Sequence, residues 1–365
     1  MIPKFHKPTL DYRYIAAGTT SSTKTVSKIL TGVLKLINET VKREDRFICK
    51  FKNYETYWIA SNKECFVNIL DYLNNRFIAK SIISFDFKKL YTNILHKDVI
   101  DKISLLVQRC FDLKSVIKIS VSNSYNASWS SRKNVKWSFT CDDIIDMFSF
   151  LINNIFVKYR GDIYKQVIGI PMGCDCAPQI ADLYLYFYER EYILKASELD
   201  NNIVNELSFC KRYIDDLAAP NISNAAISII CNDIYPKDLE IVPTNSSDSY
   251  STFLDLDISI VDRKFHWKLY DKRRDFKFSV ITFPNLDSKV SNRLSYGTLI
   301  GELYRICKSS SHANSFVSDV RILIDKLINQ NYELNIVKSS INKFIHRRPS
   351  CLNRFWHDFK VTDFV

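Results

Sequence analysis

Three carboxylates carry the chemistry this sequence offers. Asp86 interrupts an otherwise apolar strand in SIISFDFKKLYTNI. Strand alternation places Ile82, Ser84 and Asp86 on one face and Ile83, Phe85 and Phe87 on the other. A carboxylate at the end of a buried strand is costly unless it is paired or binds a cation. Asp215 and Asp216 are adjacent in FCKRYIDDLAAP, an apolar and aromatic strand that resumes as Leu217-Ala218-Ala219. This reads as a hairpin with two carboxylates at its turn. Their repulsion calls for compensation by solvent, an arginine or a divalent metal. Oxygen-only ligands favour Mg²⁺ or Mn²⁺ over zinc. One aspartate from a strand and two from a hairpin suit two ions about 4 Å apart, the arrangement used for in-line phosphoryl displacement. On these residues alone, a strand-end aspartate of no special role, a solvated turn and an N-cap stay open as alternatives.

Other acidic pairs read differently. Asp255 and Asp257 in FLDLDISIV alternate with Leu254, Leu256, Ile258 and Ile260, which places them on the polar face of an amphipathic strand. Glu189 and Glu191 in YLYFYEREYI are expected on the exposed side of a helix. Glycine is scarce at 7 residues, yet Gly161, Gly169 and Gly173 fall close together, where only glycine would fit a tight turn or a close backbone approach.

The elements that must position these groups follow from periodicity. Helices are expected at about 21–43, 98–114, 141–158, 175–197, 224–235, 289–308, 313–330 and 335–346. Strands fit 81–87, 163–168, 207–214, 217–219, 238–242, 253–261 and 264–270, the last two forming a hairpin that turns at Asp262-Arg263. Ser-rich stretches at 120–131 and 245–251 read as loops or linkers. Strand pairs separated by helices, then a helical basic tail, argue an α+β fold instead of a doubly wound parallel sheet.

Charge is segregated along the chain. Its formal net charge is +11, but residues 1–80 carry +7, residues 262–365 carry +9 and residues 81–261 carry −5. Basic flanks suit phosphate backbones and an acidic centre suits a cation site. The 46% hydrophobic and 25% charged composition excludes a disordered tail. No uninterrupted apolar run reaches about 18 residues, which argues against a membrane span, and MIPKFHKPTLDYRY lacks the apolar core of a secretory signal. The 10 cysteines are scattered, with only Cys174 and Cys176 close in sequence, and read as reduced thiols of an intracellular protein. His6, His96, His266, His312, His346 and His357 are too dispersed for a metal cluster.

Taken together, the segments resemble the reverse transcriptase family, most closely the Penelope-like retroelement enzymes. IPKFHK followed by DYRYIAAG resembles the fingers motifs, SFDFKKLYTNI motif A, QVIGIPMGCDCAPQIADLYLYFYE motif B, and RYIDDL motif C. YPKDLEI lies where motif D would end, STFLDLDI resembles motif E, and LYDKRRDFKFSVITFPN resembles the start of the thumb. The resemblance covers nearly the whole chain. It implies a right-hand polymerase with an antiparallel-sheet palm and a helical thumb. Fingers would occupy 1–80, incomplete at the N-terminal end; palm 81–261, with some fingers insertion; and thumb 262–365.

The implied activity is RNA-directed DNA synthesis from a primer 3′-hydroxyl, with an RNA template, a DNA primer and dNTPs as partners. Two Mg²⁺ or Mn²⁺ ions would be held by Asp86 and Asp215, with Asp216 in or near their surroundings and the Phe87 carbonyl beside them. Tyr91, five residues after Asp86, stands at the family's steric gate against a ribose 2′-hydroxyl. Lys4, Lys7 and Arg13 resemble cations that hold the triphosphate. Gln166, Gly169, Met172 and Gly173 would line the template and nucleotide floor. Tyr213 would contact the primer end, and Lys272, Arg273 and Arg274 would track the duplex backbone. A retroelement enzyme would be nuclear. Motif B departs from the MGTNCAP of relatives: Cys174 and Asp175 are substituted, and Asp175 adds negative charge near a triphosphate site. That departure, with the short N-terminal region, motivates the alternative of a weak or inactive domesticated nucleic-acid-binding relic. An RNA-dependent RNA polymerase is a third reading, against which the aromatic Tyr91 argues. A smaller residue at Tyr91 is expected to relax ribonucleotide exclusion, measured as the ratio of dNTP to rNTP incorporation; an unchanged ratio would remove the gate assignment.

Overall fold

The structure is a computed structural model that describes residues 2–3, 12–13, 21–131, 137–276, 278, 280–348 and 352, without the side chains of 2–3, 12–13, 274 and 275. The chain mixes α-helices with antiparallel strand pairs and divides into two compact units. One unit draws on Thr9–Ser61 and Phe85–Thr244, the other on Asn62–Ser84 and Asn245–Val365.

In the first unit, four helices form the apolar body. They span Lys24–Lys52, His96–Lys114, Cys141–Asn153 and Ala177–Ala196, and each of the first three packs on the others. Leu30, Leu34, Ile37 and Val41 recur at helical spacing along the first helix and are fully buried. Burying such a side chain contributes about 1.5–3 kcal/mol. Thr140 starts the third helix with a reciprocal cap: its hydroxyl accepts from the Asp143 N–H and the Asp143 carboxylate accepts from the Thr140 N–H. The Ala177–Ala196 helix is tied to the first by polar contacts. Tyr186 donates to Asp45 at 2.6 Å and Arg190 Nε donates to the same carboxylate at 3.2 Å. Burial raises the pKa of Asp45 despite these partners.

Beside the helices lies a four-stranded sheet in the order Ile241–Pro243, Ile82–Phe87, Asp216–Pro220, Lys211–Tyr213. Phe85, Asp86 and Phe87 pair antiparallel with Pro243, Val242 and Ile241. The Ser-rich stretch expected as a loop instead contributes strands Lys118–Val121 and Ala127–Ser130, in antiparallel register. Ile119, Val121 and Trp129 supply the apolar contacts that composition masked: Ile119 and Val121 are buried, and Trp129 stacks edge-on against Phe111.

The second unit contains an antiparallel meander, Tyr250–Phe253, Leu256–Val261 and Lys264–Leu269. Its helices Asn292–Lys308, Ala313–Ile328 and Leu334–Arg347 share an apolar cluster that includes Leu303, Phe316, Val320 and Phe344. A helix at Lys63–Arg76, not foreseen from periodicity, closes the edge of the meander. The Asn74 amide donates to the Phe265 carbonyl and accepts from the Phe265 N–H, both at 2.8 Å, in place of a further strand. The expected hairpin turns at Asp262-Arg263, where both residues have positive φ, 48° and 63°. A two-residue turn of that hand favours Asn-Gly. Replacing Asp262-Arg263 by Asn-Gly is expected to stabilise the fold by about 1 kcal/mol, read as a rise in the thermal or urea midpoint.

Candidate active site

Asp86 and the Asp215-Asp216 pair enter from neighbouring strands of the four-stranded sheet. Residues 82–85 and 87 are buried while Asp86 is exposed, so the strand presents one carboxylate to solvent from an otherwise apolar run. Phe87 anchors the strand end, edge-on to Tyr235 with ring centroids 4.9 Å apart. Asp215 occupies a two-residue turn: Tyr213 pairs with Asp216 across it, leaving Ile214 and Asp215 at the tip. Ile214 has φ 56°. A β-branched residue in the left-handed region costs about 1–3 kcal/mol and persists only where the surroundings hold it.

The side chain that holds this turn is Arg212, fully buried. Its Nη1 donates to the Ile214 carbonyl at 3.0 Å and to Asp182 Oδ1 at 2.9 Å. Its Nη2 donates to the Asp182 carbonyl at 3.0 Å and to Glu189 Oε2 at 3.3 Å, and its Nε to Glu189 Oε1. Tyr235 donates to the same Glu189 at 2.9 Å. The backbone N–H of Arg212 donates to Trp58, and its carbonyl accepts from Ala60. Burial alone would lower the pKa of the guanidinium; Glu189 and Asp182 reverse this and hold it above its ordinary value.

Glu189 is therefore not on the exposed side of its helix. It is fully buried, whereas Glu191 is exposed. Asp182 and Glu189 are two helical turns apart and face one way. The available signal was Arg212 itself, a charge in an apolar strand that demands buried partners.

A second contact gathers the residues after Asp86 with those around Gly169. The Ile170 N–H donates to the Tyr91 carbonyl at 2.6 Å, and the Gly169 N–H to the Ile94 carbonyl at 2.8 Å. Gly169 has φ 82°, and a Cβ there would lie 2.5 Å from the Tyr91 carbonyl oxygen. Glycine is required on both counts. His96 Nε2 lies 2.8 Å from the Gly169 carbonyl, a positioning contact that scattered histidines gave no reason to expect. Tyr91 itself is half-buried. Gln166 follows an exposed hairpin, Phe156–Tyr159 with Asp162–Lys165, and its amide donates to the Ile168 carbonyl at 2.9 Å. Met172 is 39% exposed and Tyr213 38%, so neither is buried core.

Gly173 lines a small cleft with Lys24, Ser27, Cys174 and Asp175. The added charge of Asp175 is met locally: Lys24 Nζ lies 2.7 Å from its carboxylate. Lys272 and Arg273 belong to the other unit. Lys272 is exposed, but Arg273 clasps Asp271 through Nε at 2.6 Å and Nη2 at 3.1 Å. Burial alone would raise the Asp271 carboxyl; hydrogen bonds from Arg273 and Lys326 hold it well below the usual range. Lys4, Lys7 and the side chains of Arg13 and Arg274 lie outside the described residues.

Among the described residues no three Asp, Glu, His or Cys side chains are gathered into a complete cation cage. An all-oxygen set of carboxylates on adjacent strands still suits Mg²⁺, which is commonly held by one or two carboxylates together with substrate phosphates and water.

No family model matches the sequence, and no curated protein does. Among solved structures, the chain is similar to telomerase from Candida albicans in complex with a TWJ fragment of telomeric RNA. Identity is 13% and the TM-score 0.55, covering 94% of this chain and 49% of that one. Apo telomerase from Candida tropicalis matches at 14% identity and a TM-score of 0.45, covering 92% of this chain and 52% of that one. The likeness is one of fold: the chain shares the mixed α/β architecture of that telomerase chain from Candida albicans. This chain spans about half the length of these telomerase chains. Among the described residues no helix is long and apolar enough to cross a membrane.

Glu189→Ala would leave the Arg212 Nε donor and the Tyr235 hydroxyl without their buried acceptor and is expected to destabilise by about 3–5 kcal/mol. Ile214→Gly, which relieves the positive φ, is expected to leave stability equal or higher by up to about 1 kcal/mol. Chemical denaturation of the two variants side by side checks both directions.

Proposed function

We propose that this chain is an RNA-directed DNA polymerase of the Penelope-like retroelement type, extending a primer 3′-hydroxyl with dNTPs on an RNA template. The observation that carries this reading is the placement of Asp86 and the Asp215-Asp216 turn on adjacent strands of one sheet within a reverse-transcriptase-like fold. In this reading the sheet is the palm, residues 1–80 contribute fingers and residues 262–365 the thumb. Asp86, Asp215 and Asp216, with the Phe87 carbonyl, would hold two Mg²⁺ or Mn²⁺ ions. Such ions lower the pKa of an attacking hydroxyl and neutralise a leaving pyrophosphate.

The residues of the chain do the positioning. Arg212 holds the Ile214 carbonyl and so fixes the tip from which Asp215 projects. Gly169 docks on the backbone of Tyr91 and Ile94, setting the distance between the sugar gate and the floor formed by Gln166, Met172 and Gly173. Exposed Tyr213 is available to a primer end, and Lys272 to the duplex backbone. The telomerase structure that this chain is similar to holds an RNA fragment, which supports RNA binding; RNA as the template is part of the proposal. A nuclear location follows for a retroelement enzyme. The charge objection raised by Asp175, which favoured a non-catalytic relic, is weakened because Lys24 neutralises that carboxylate.

Primer extension on an RNA template with Mg²⁺ or Mn²⁺ tests the proposal. dNTP incorporation is expected to fall by about 10³-fold or more in Asp215→Asn, because metal-holding residues act as a unit. Incorporation unchanged in that variant, or absent from the unaltered protein despite tight primer–template binding, would reject polymerase function.

A further inference from the structure

The substituted motif-B segment Gly173-Cys174-Asp175-Cys176 places two thiols side by side. The sulfurs of Cys174 and Cys176 are 3.5 Å apart. Cys176 is fully buried and is the residue that begins the Ala177–Ala196 helix, while Cys174 is half-buried and lines the cleft shared with Lys24 and Gly173. Ser27, itself buried, has its hydroxyl 3.1 Å from the Cys174 sulfur. The Asp175 N–H donates to that same hydroxyl oxygen at 3.0 Å, which leaves the Ser27 proton free to point at sulfur.

We propose that Cys174 and Cys176 form a reactive dithiol site that exchanges with small disulfides of the glutathione class and closes to an intramolecular disulfide. The geometry assigns the two roles. Cys174 reaches the cleft and is the attacking sulfur; Cys176 lies behind it and is the resolving one. Hydrogen bonds from the Cys176 thiol, the Ser27 hydroxyl and the Cys176 backbone stabilise a Cys174 thiolate and draw its pKa below the ordinary thiol value, while the same contact and burial push Cys176 up.

In the first step the Cys174 thiolate attacks one sulfur of RSSR. A Cys174–S–R bond forms, the S–S bond of the reagent breaks, and RS⁻ leaves and takes up a proton. In the second step Cys176 attacks the Cys174 sulfur, and its proton passes to the departing RS⁻. The Cys174–Cys176 bond forms and the second RS⁻ leaves and is protonated. Two protein thiols are oxidised and one RSSR is reduced to two RSH. A disulfide is about 2.05 Å long, so the sulfurs need approach by only about 1.5 Å. The resulting ring contains Asp175 and adjoins Gly173, so oxidation acts on the turn that carries the proposed nucleotide floor. That consequence rests on the proposed function; the thiol chemistry does not.

The test uses the full chain and oxidised glutathione. After graded exposure, acid quench and alkylation, peptides are read by mass spectrometry. The peptide holding Cys174 and Cys176 is expected to lose both alkylation sites and two hydrogens before Cys49, Cys65, Cys141 or Cys231, the other partly exposed thiols among the described residues, react. Cys176→Ser should trap a persistent glutathione adduct on Cys174. Ser27→Ala should slow Cys174 several-fold near pH 6.5, about two units below the usual thiol pKa, and have little effect near pH 9, well into the thiolate range. Wild-type Cys174 reacting no faster than Cys49 or Cys141, or an adduct on Cys174 that Cys176 fails to resolve, would overturn the proposal. All these readouts are independent of polymerisation, so they stand or fall apart from the polymerase assignment.

Discussion

A buried guanidinium organises the candidate site. Arg212 has no water to solvate it, so its guanidinium donors must find acceptors inside the protein, and they do so on two separate parts of the chain. Glu189 and Asp182 come from one helix and Ile214 from the turn that carries Asp215, while the Arg212 backbone donates to the Trp58 carbonyl and accepts from the Ala60 N–H. Leaving such a charge unpartnered costs several kcal/mol. The strained turn is thereby bound to a helix well away from it in sequence. Ile214 can stay in a conformation that β-branched residues avoid because the guanidinium grips its carbonyl from the buried side.

A second constraint acts through backbone alone. Gly169 sits too close to Tyr91 and Thr92 for any side chain, and its N–H and carbonyl are both engaged, by Ile94 and His96. This couples the segment downstream of Asp86 to the segment that carries Gln166 and Gly173. The two constraints differ in kind. One is electrostatic and tolerates no loss of a partner; the other is steric and tolerates no added atom. Between them they fix the Asp215 turn and the Tyr91–Gly169 contact.

Local charge is handled in the same economical way. Asp175 would oppose a triphosphate if it stood alone, but Lys24 meets it within the first unit. Arg273, expected to reach a nucleic-acid backbone, is engaged by Asp271 within the second. In both cases a charged residue was paired by a partner distant in sequence or hidden by an ordinary-looking stretch, and its net contribution to the surface field is smaller than a count of charges implies.

Much of the architecture was legible. Period-two alternation located the Asp86 strand and the hairpin turning at Asp262-Arg263, and apolar spacing located most helices, because each of these is a local pattern of apolar residues. The Asp215-Asp216 turn and the need for glycine at Gly169 were likewise visible as residue types that fit few alternatives. The Lys118–Val121 and Ala127–Ser130 strands were not, since serine-rich composition hides a strand that packs through Ile119, Val121 and Trp129. Nor was the fate of Glu189: a glutamate among aromatic residues on a helix reads as exposed until the helix turns that face toward Arg212. The sequence by itself singled out Asp86, Asp215 and Asp216 as carboxylates of a type that suits a cation and Gly169 as a backbone position that needs glycine, because those are properties of single residues and short spacings. Only the tertiary structure decided that Arg212 would be the hub, that Asp175 would be neutralised and that the two motif-B thiols would touch, because the first two depend on groups packed together from distant parts of the chain and the third on the backbone conformation that starts the Ala177–Ala196 helix.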